Sequence, residues 1–447
     1  MQRGLQSCRR LYLVWASIVA LLGVVACGDA APTFSIFTQQ PQQGSGEAIT
    51  LQTVDQIHPL WAYQPDSGLP GAITSTAGVV YVTYDSNTSK VGAGENTGNI
   101  TPTMGGGTVS VLDAVDAHSG RRLWRFQAPE LPDNGVRPLV VNETIYFALT
   151  YHVCALNAQT GAVRWCTEVI DRKNDAEYIV DGELAFANGL LLVGAYHTLI
   201  AADAATGKRV WSAQTPMRSS HMVTGDGLVY VSAADGQLSA FDASTGQQMW
   251  RATQVPDTPF PDTFAPVPFL DDGTLYVLSG RKLAAHQGRR GDLLWHVSLD
   301  GGERGGELSP PGPVFANVGG IVYVVAFETN ASTLVTPITT QLVAYNLHTH
   351  QQMWGGQLAG QGGQALAVSS GLVYAASATI DRPYPTPSER HFWLTVMDLR
   401  SGQVARQLQN NDSSFRVDQL IGDDGRLFVL GHFVDSGDGS RVYALGR

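Results

Sequence analysis

One phrase recurs along this chain: a short apolar strand, Asp or Asn, two or three residues, Thr-Gly or Ser-Gly, then a second apolar strand carrying Trp. The clear copies run Val111-Leu112-Asp113 to Gly120 to Trp124, Ala155-Leu156-Asn157 to Gly161 to Trp165, Ala201-Ala202-Asp203 to Gly207 to Trp211, and Ala240-Phe241-Asp242 to Gly246 to Trp250. Weaker copies place Ala284-Ala285-His286 before Gly291 and Trp295, Ala344-Tyr345-Asn346 before Trp354, and Val396-Met397-Asp398 before Gly402 and Arg406. A unit repeated in this way stacks against its neighbours to bury its apolar face, so the repeat decides the architecture before any single residue does.

A further apolar strand precedes each hairpin, beginning near Val79, Ile145, Leu190, Leu228, Leu275, Ile321, Leu372 and Leu427. Several of these follow Asp-Gly, as at Asp226-Gly227, Asp272-Gly273 and Asp424-Gly425, which supplies the positive φ of a tight hairpin turn. With a first strand before that turn, each unit holds four antiparallel strands in roughly 40 to 60 residues, the content of a propeller blade. Seven hairpins face eight such strands, and the termini resolve the mismatch. Residues 442–445 form a third strand with no successor, and residues 58–63, with Trp61, a fourth strand with no predecessor. Pairing them predicts an all-β, eight-bladed propeller of four-stranded antiparallel blades, its ring closed by the strand around Trp61 so that no seam edge stays open. The 49 Gly and only 15% charged residues suit a chain of many tight turns.

The spacing Asp-x-x-Thr-Gly-x-x-x-Trp resembles the quinoprotein-like, or pyrroloquinoline-quinone-type, propeller repeat, over nearly all of residues 61–445. In that family the tryptophan is structural, which implies blade-docking roles for Trp61, Trp124, Trp165, Trp211, Trp250, Trp295 and Trp354. The family holds both quinone-dependent dehydrogenases and non-enzymatic BamB-type lipoproteins of outer-membrane assembly. The dehydrogenases carry adjacent cysteines beside the cofactor, a calcium-ligand set and a longer chain. No two cysteines are adjacent in this sequence. The expectation is therefore a binding protein with no quinone, calcium or other metal, and no catalytic residues.

Arg3, Arg9 and Arg10 precede an uncharged run over residues 11–26 that ends Val24-Val25-Ala26-Cys27-Gly28, which resembles a bacterial lipobox. Residues 1–26 are accordingly expected to be a lipoprotein signal peptide, Cys27 the lipidated residue, residues 27–54 a Gln-, Ser- and Gly-rich tether, and residues 55–447 the propeller. Such a chain is exported and anchored by acyl chains to the cell membrane or outer membrane, facing the periplasm or the exterior. The net charge of −11 falls to −14 without the three arginines, which argues against nucleic acid as a partner. Export permits a disulfide, and Cys154 and Cys166 flank one hairpin turn. A cross-strand bridge and two buried thiols both fit that spacing, and the bridge is the expectation.

Alternating strand directions put the Thr-Gly turns on one rim and the long segments on the other, among them residues 85–107, 168–181, 253–268, 298–313, 328–341, 379–392 and 407–417. Function concentrates on long loops held by a rigid scaffold, so the second rim is the expected working face. On it the leading residues of the first strands point toward the central channel, with Arg137, Tyr178, His221, Phe264 and Arg416, and Arg218 beside them, as the candidate ligand face. Converging basic groups suit an anionic ligand; pairing with neighbouring acids such as Asp418 suits no ligand at all. Three function classes follow: a monomeric scaffold binding an envelope protein or polypeptide client, a quinone-dependent dehydrogenase, and a surface ligand-binding or sensor protein using the channel. The bridge is checked by titrating thiols on the denatured, unreduced protein without residues 1–26. Cys154 and Cys166 are expected to contribute none, and two reactive thiols from them would remove the bridge.

Overall fold

Why residues such as Thr144–Ala148 and Leu228–Ala233 become strands is plain from their burial, since every side chain in both runs is buried. A second strand sandwiched between two neighbouring sheets has no solvent face, and a continuous run of β-branched, aromatic and small apolar residues satisfies both sides. Outermost strands behave differently. Arg209–Gln214 and Leu293–Ser298 alternate between exposed and half-buried residues, as a strand facing water on one side must.

The computed structural model describes residues 47–65, 70–87, 108–128, 136–169, 180–195, 197–215, 219–233, 236–253, 266–279, 282–299, 314–329, 337–360, 362–380, 390–410, 415–433 and 440–447. They form eight four-stranded antiparallel sheets, seven of them built from four consecutive strands. Blade 1 runs from Pro70–Thr76 to Arg122–Ala128, and blade 7 from Gly362–Ser369 to Val404–Asn410. Blade 8 takes Phe415–Asp423, Arg426–Phe433 and Ser440–Gly446 from the end of the chain and His58–Tyr63 from its beginning, with Trp61 opposite Ala444. The closure expected from the unpaired terminal strands is the one found. Strands extend further into the connections than expected: Ile321–Thr329 pairs with Pro337–Asn346 and Leu372–Ile380 with Arg390–Asp398, because the ladders continue through Thr339, Thr340 and Thr379.

Six of the repeat tryptophans, Trp61, Trp124, Trp165, Trp211, Trp250 and Trp354, dock on the glycine turn of the next blade. In blade 3 the Asp203 Oδ1 accepts the Thr206 N–H at 2.8 Å and the Thr206 hydroxyl at 2.6 Å, and Gly207 N–H closes the turn on the Asp203 carbonyl. The hydroxyl bond, then the backbone bond, holds the Asp203 carboxyl below the usual carboxylate range. Gly207, at φ +71°, lies against the Trp165 ring so closely that a Cβ would sit 2.6 Å from it. Trp165 Nε1–H donates to the Ala204 carbonyl, and Trp61, Trp124, Trp211, Trp250 and Trp354 repeat this with Ala117, Ala158, Ala243, Gly288 and Leu399. Opposite each tryptophan within its own hairpin stands an alanine, as with Trp211 and Ala201, followed by a bulge. In blade 6 the turn position belongs to His350, at φ +57°, whose ring packs 4.3 Å from Trp295. A tyrosine of the second strand joins the dock in several blades, Tyr81 beside Trp124 and Tyr146 beside Trp165.

Two repeat assignments are corrected. The turn acid of blade 1 is Asp116, which accepts from Ser119 N–H and hydroxyl, not Asp113. In blade 5 the position belongs to Gln287, and His286 lies in the core, where burial lowers its pKa. Asp113 is instead a fully buried carboxylate held by Arg125 at 2.7 and 2.8 Å, Tyr84 at 2.7 Å and Tyr63 at 2.5 Å. Tyr63 ends the closing strand, so this saturated cluster ties the closure to blade 1. A buried charge is tolerated when its lone pairs are filled by charged and neutral donors in this way.

Residues ahead of position 55 also make contacts with the blades. Ile49 is buried and its N–H donates to the Gly425 carbonyl; Val54 and Ile57 pack in the same cluster with residues of blades 7 and 8. Blade 8 has no Thr-Gly turn because its outer strand comes from elsewhere in the chain, and residues 49–57 fill that place. Arg406 stands opposite Val396 at the tryptophan register of blade 7, and donates to the Val54 carbonyl as the tryptophans donate to turn carbonyls. Residues 1–46, including Cys27, lie outside the described residues.

Trp211→Ala is expected to lower the unfolding free energy by about 3–5 kcal/mol. Gly246→Ala adds overpacking of roughly 1–3 kcal/mol to the ~1–2 kcal/mol of a side chain at positive φ, since its Cβ would meet Trp211 at 2.5 Å. Gly227→Ala, at φ +78° with nothing within 4 Å, pays only the second. Urea unfolding of the three variants checks this order.

Candidate functional site

The first strands surround the axis, and their leading ends lie at the rim opposite the Thr-Gly turns. Arg137 is exposed just before Leu139–Val141 of blade 2, and His221 lies half-buried in Ser219–Gly225 of blade 4. Between them, in Val180–Ala187 of blade 3, stands Glu183, which was not anticipated. Its Oε1 is 3.1 Å from His221 Nδ1 and its Oε2 accepts the Met222 N–H at 3.2 Å. Burial raises the Glu183 pKa, but the bonds from His221 and Met222 and the charge of Arg137 outweigh it, leaving the carboxyl below its usual range. The basic groups of this quadrant thus already face a carboxylate. A bulge in the first strand, where pairing skips from Val180 to Leu184, turns Glu183 toward blade 4, and no periodicity in the sequence marks that.

Arg416 lies exposed in blade 8, across the ring from blade 4. Next to it Asp418 Oδ2 is 2.6 Å from His432 Nδ1. The neighbouring Gln419 is buried and bridges blades, accepting from Ile73 N–H at 2.9 Å and donating to the Ile73 carbonyl at 3.0 Å. Tyr178, Arg218 and Phe264 lie outside the described residues. The structure therefore joins His221 and Arg137 through Glu183 and does not join Arg416 to them.

Toward the same rim a small apolar slot opens between blades 7 and 8, lined among others by Phe392, Trp393, Leu408, Val417 and Leu420, with Asn410 at its polar edge. It occupies the one seam where Arg406 replaces a docking tryptophan. The Trp393 indole nitrogen is buried without a hydrogen-bond partner.

Cys154 and Cys166 stand directly opposite in the outer hairpin of blade 2 and are joined as a disulfide, with Cα atoms 4.0 Å apart. This pair is in the third and fourth strands, away from the channel-lining first strands. Among the described residues no three His, Cys, Asp or Glu side chains gather as metal ligands. The disulfide lies away from the axis, and Glu183 and Asp418 each face a histidine. No helix among the described residues is long and apolar enough to cross a membrane.

Comparison with known proteins agrees with this fold. The family profile described as "Outer membrane protein assembly factor BamB" matches residues 44–181 and 172–408. Among solved structures, BamB from Moraxella catarrhalis superposes with a TM-score of 0.51 at 16% identity, covering 88% of this chain and all of that one. The quinohemoprotein alcohol dehydrogenase of Comamonas testosteroni gives 0.60 at 13% identity, covering 90% of this chain and 78% of the enzyme. At these identities the likeness is one of fold. In sequence, that enzyme is 30% identical over 172 residues, 34% of this chain and 24% of its own length. A serine/threonine-protein kinase, AfsK of Streptomyces coelicolor, is 30% identical over 182 residues, 40% of this chain and 21% of the kinase. The matched segments thus span under a quarter of these two relatives.

Because the Glu183 pKa is lowered in the fold, its ionised form adds stability above the ordinary carboxyl value near pH 4.5, which fades as pH falls through the folded value. Glu183→Gln is expected to flatten that acid limb by roughly 0.2–1 kcal/mol, the range for a half-exposed, screened pair. Urea midpoints from about pH 3 to pH 6, the span in which carboxylates titrate, measure it.

Proposed function

This chain belongs to the propeller family described as outer membrane protein assembly factor BamB, and from that premise we propose that it is a non-catalytic, protein-binding scaffold of the cell envelope. Residues 1–26 direct export, Cys27 carries the lipid, and the rim opposite the Thr-Gly turns receives an envelope protein or an extended polypeptide client. Membership alone does not select this role, since unrelated activities share the fold.

The observation that carries the reading is the slot between blades 7 and 8. It pairs an apolar lining with an indole N–H that is buried without a partner, a donor suited to a backbone carbonyl laid across the seam by an extended segment of a partner. The channel mouth supports the same choice over a small anion, because its carboxylate Glu183 already faces His221 and Arg137. The dehydrogenase alternative would depend on a bound redox group, since ordinary side chains supply no hydride acceptor.

Photo-crosslinking from position 394, beside the slot, in membranes of the producing cell is expected to yield discrete protein adducts, with none from position 249 on the opposite rim. Adducts from neither, together with dye-linked alcohol oxidation after addition of quinone and calcium, would replace the scaffold with the enzyme.

A further inference from the structure

The outermost strand of each blade ends its sheet, with alternate N–H and C=O groups pointing away from it. Most of these edges carry a residue that deters pairing with another chain. Arg122, Arg164, Arg209 and Arg251 stand exposed on those of blades 1 to 4, His296 on that of blade 5, and Pro59 interrupts the closing strand of blade 8. In blade 7 the outer strand Val404–Asn410 is half-buried or buried past Val404 and holds Arg406. Blade 6 differs. Its outer strand, Gln351–Leu358, contains no Arg, Lys, His, Asp, Glu or Pro, and at 8 residues it is the longest of the outer strands.

This edge is open as well as uncharged. Gln351, Gln352, Met353, Gly355 and Gln357 are exposed, and the ladder to Pro337–Asn346, from Asn346 opposite Gln351 to Thr340 opposite Leu358, occupies one side of the strand. Among the described residues no backbone hydrogen bond reaches the other side. Gly355 is a second sign. Its φ lies outside the positive region, and among the described residues a Cβ there would meet only the ends of two flexible side chains, Gln352 and Gln341, so neither backbone nor packing asks for glycine. Its neighbour Gly356 is different, since a Cβ would stand 3.0 Å from the Gly402 carbonyl. Glycine inside a strand weakens it and marks places where another backbone comes close. A row of unpaired N–H and C=O groups is matched by an extended polypeptide. A second copy would bring a further net charge of −11 to the same edge and be repelled.

We propose that the outer edge of blade 6 captures extended polypeptide by β-addition, the client lying along Gln351–Leu358 as a further strand of that sheet. Recognition is through the client's main chain, so segments of high β propensity are held with little regard to their exact sequence. This rests on the scaffold reading above for its client, and adds a mode and a second place of contact.

The test uses the full chain in detergent and, as probe, a short alternating Val-Thr peptide N-methylated at every second amide, which keeps one hydrogen-bonding edge and cannot stack on itself. Its binding is expected to slow hydrogen exchange at alternate amides of residues 354–358, and the same peptide methylated at every amide is expected not to bind. Gln357→Lys, which sets a charge beside the added strand, is expected to weaken binding about tenfold, while Val210→Lys in blade 3 leaves it unchanged. Both positions are exposed, and the thermal midpoint verifies each fold. Peptide that binds without protecting residues 354–358, or equally well when fully methylated, overturns the proposal, as does the absence of binding. Crosslinks from position 394 that persist in those cases leave the scaffold reading standing; their absence as well removes both. Protection at residues 354–358 that needs no peptide and grows with protein concentration assigns the edge to a second copy and likewise overturns the proposal.

Discussion

The close approach of a tryptophan ring to a glycine turn on the neighbouring blade sets the terms for everything else in this propeller. It needs a turn glycine at positive φ, because any Cβ would overlap the ring. It needs the alanine across the hairpin and the bulge that frees the indole to leave its own sheet. It needs a turn carbonyl to take the indole N–H, and an Asp or Asn to hold the turn still. These demands fall on four separate residues of two blades, which is why the phrase repeats as a unit and why the resulting rim is short and uniform.

The exception explains the rest of the ring. Between blades 7 and 8 there is no Thr-Gly turn to receive a tryptophan, because the outer strand of blade 8 arrives from the start of the chain. Arg406, the Val54 carbonyl and the buried Ile49 rebuild the contact with different chemistry. A guanidinium reaching a carbonyl fills less space than an indole, and it is at this seam, toward the far rim, that the apolar slot opens. The closure is further pinned on its other side by Tyr63 on Asp113. The apolar slot and the ring closure are thus consequences of one topological fact.

Electrostatics narrows what the axis can bind. In one quadrant Glu183 faces His221 and Arg137, and against the effect of burial their bond and charges hold its carboxyl below the usual range. Arg416, on the far side of the ring, has Asp418 and His432 as neighbours two residues away and across the hairpin. Under the scaffold reading proposed above, this mouth would recognise polypeptide by apolar contact and backbone hydrogen bonds rather than a lone anion.

Blade number, strand order and closure by the Trp61 strand were legible in the sequence because they depend on local periodicity and on counting unpaired strands. The placing of Cys154 opposite Cys166 follows from the same hairpin register. Where local pattern was ambiguous it misled: Asp113 resembles a turn acid, yet the strand continues to Asp116, because the carboxylate of Asp113 has Arg125 and two tyrosines to satisfy it in the interior. Only the tertiary structure could place Glu183 between Arg137 and His221, or make Ile49 and Val54 the substitute for a missing turn. Those relations join side chains on different blades, and a periodic sequence is silent about which neighbour a side chain meets once the ring has closed.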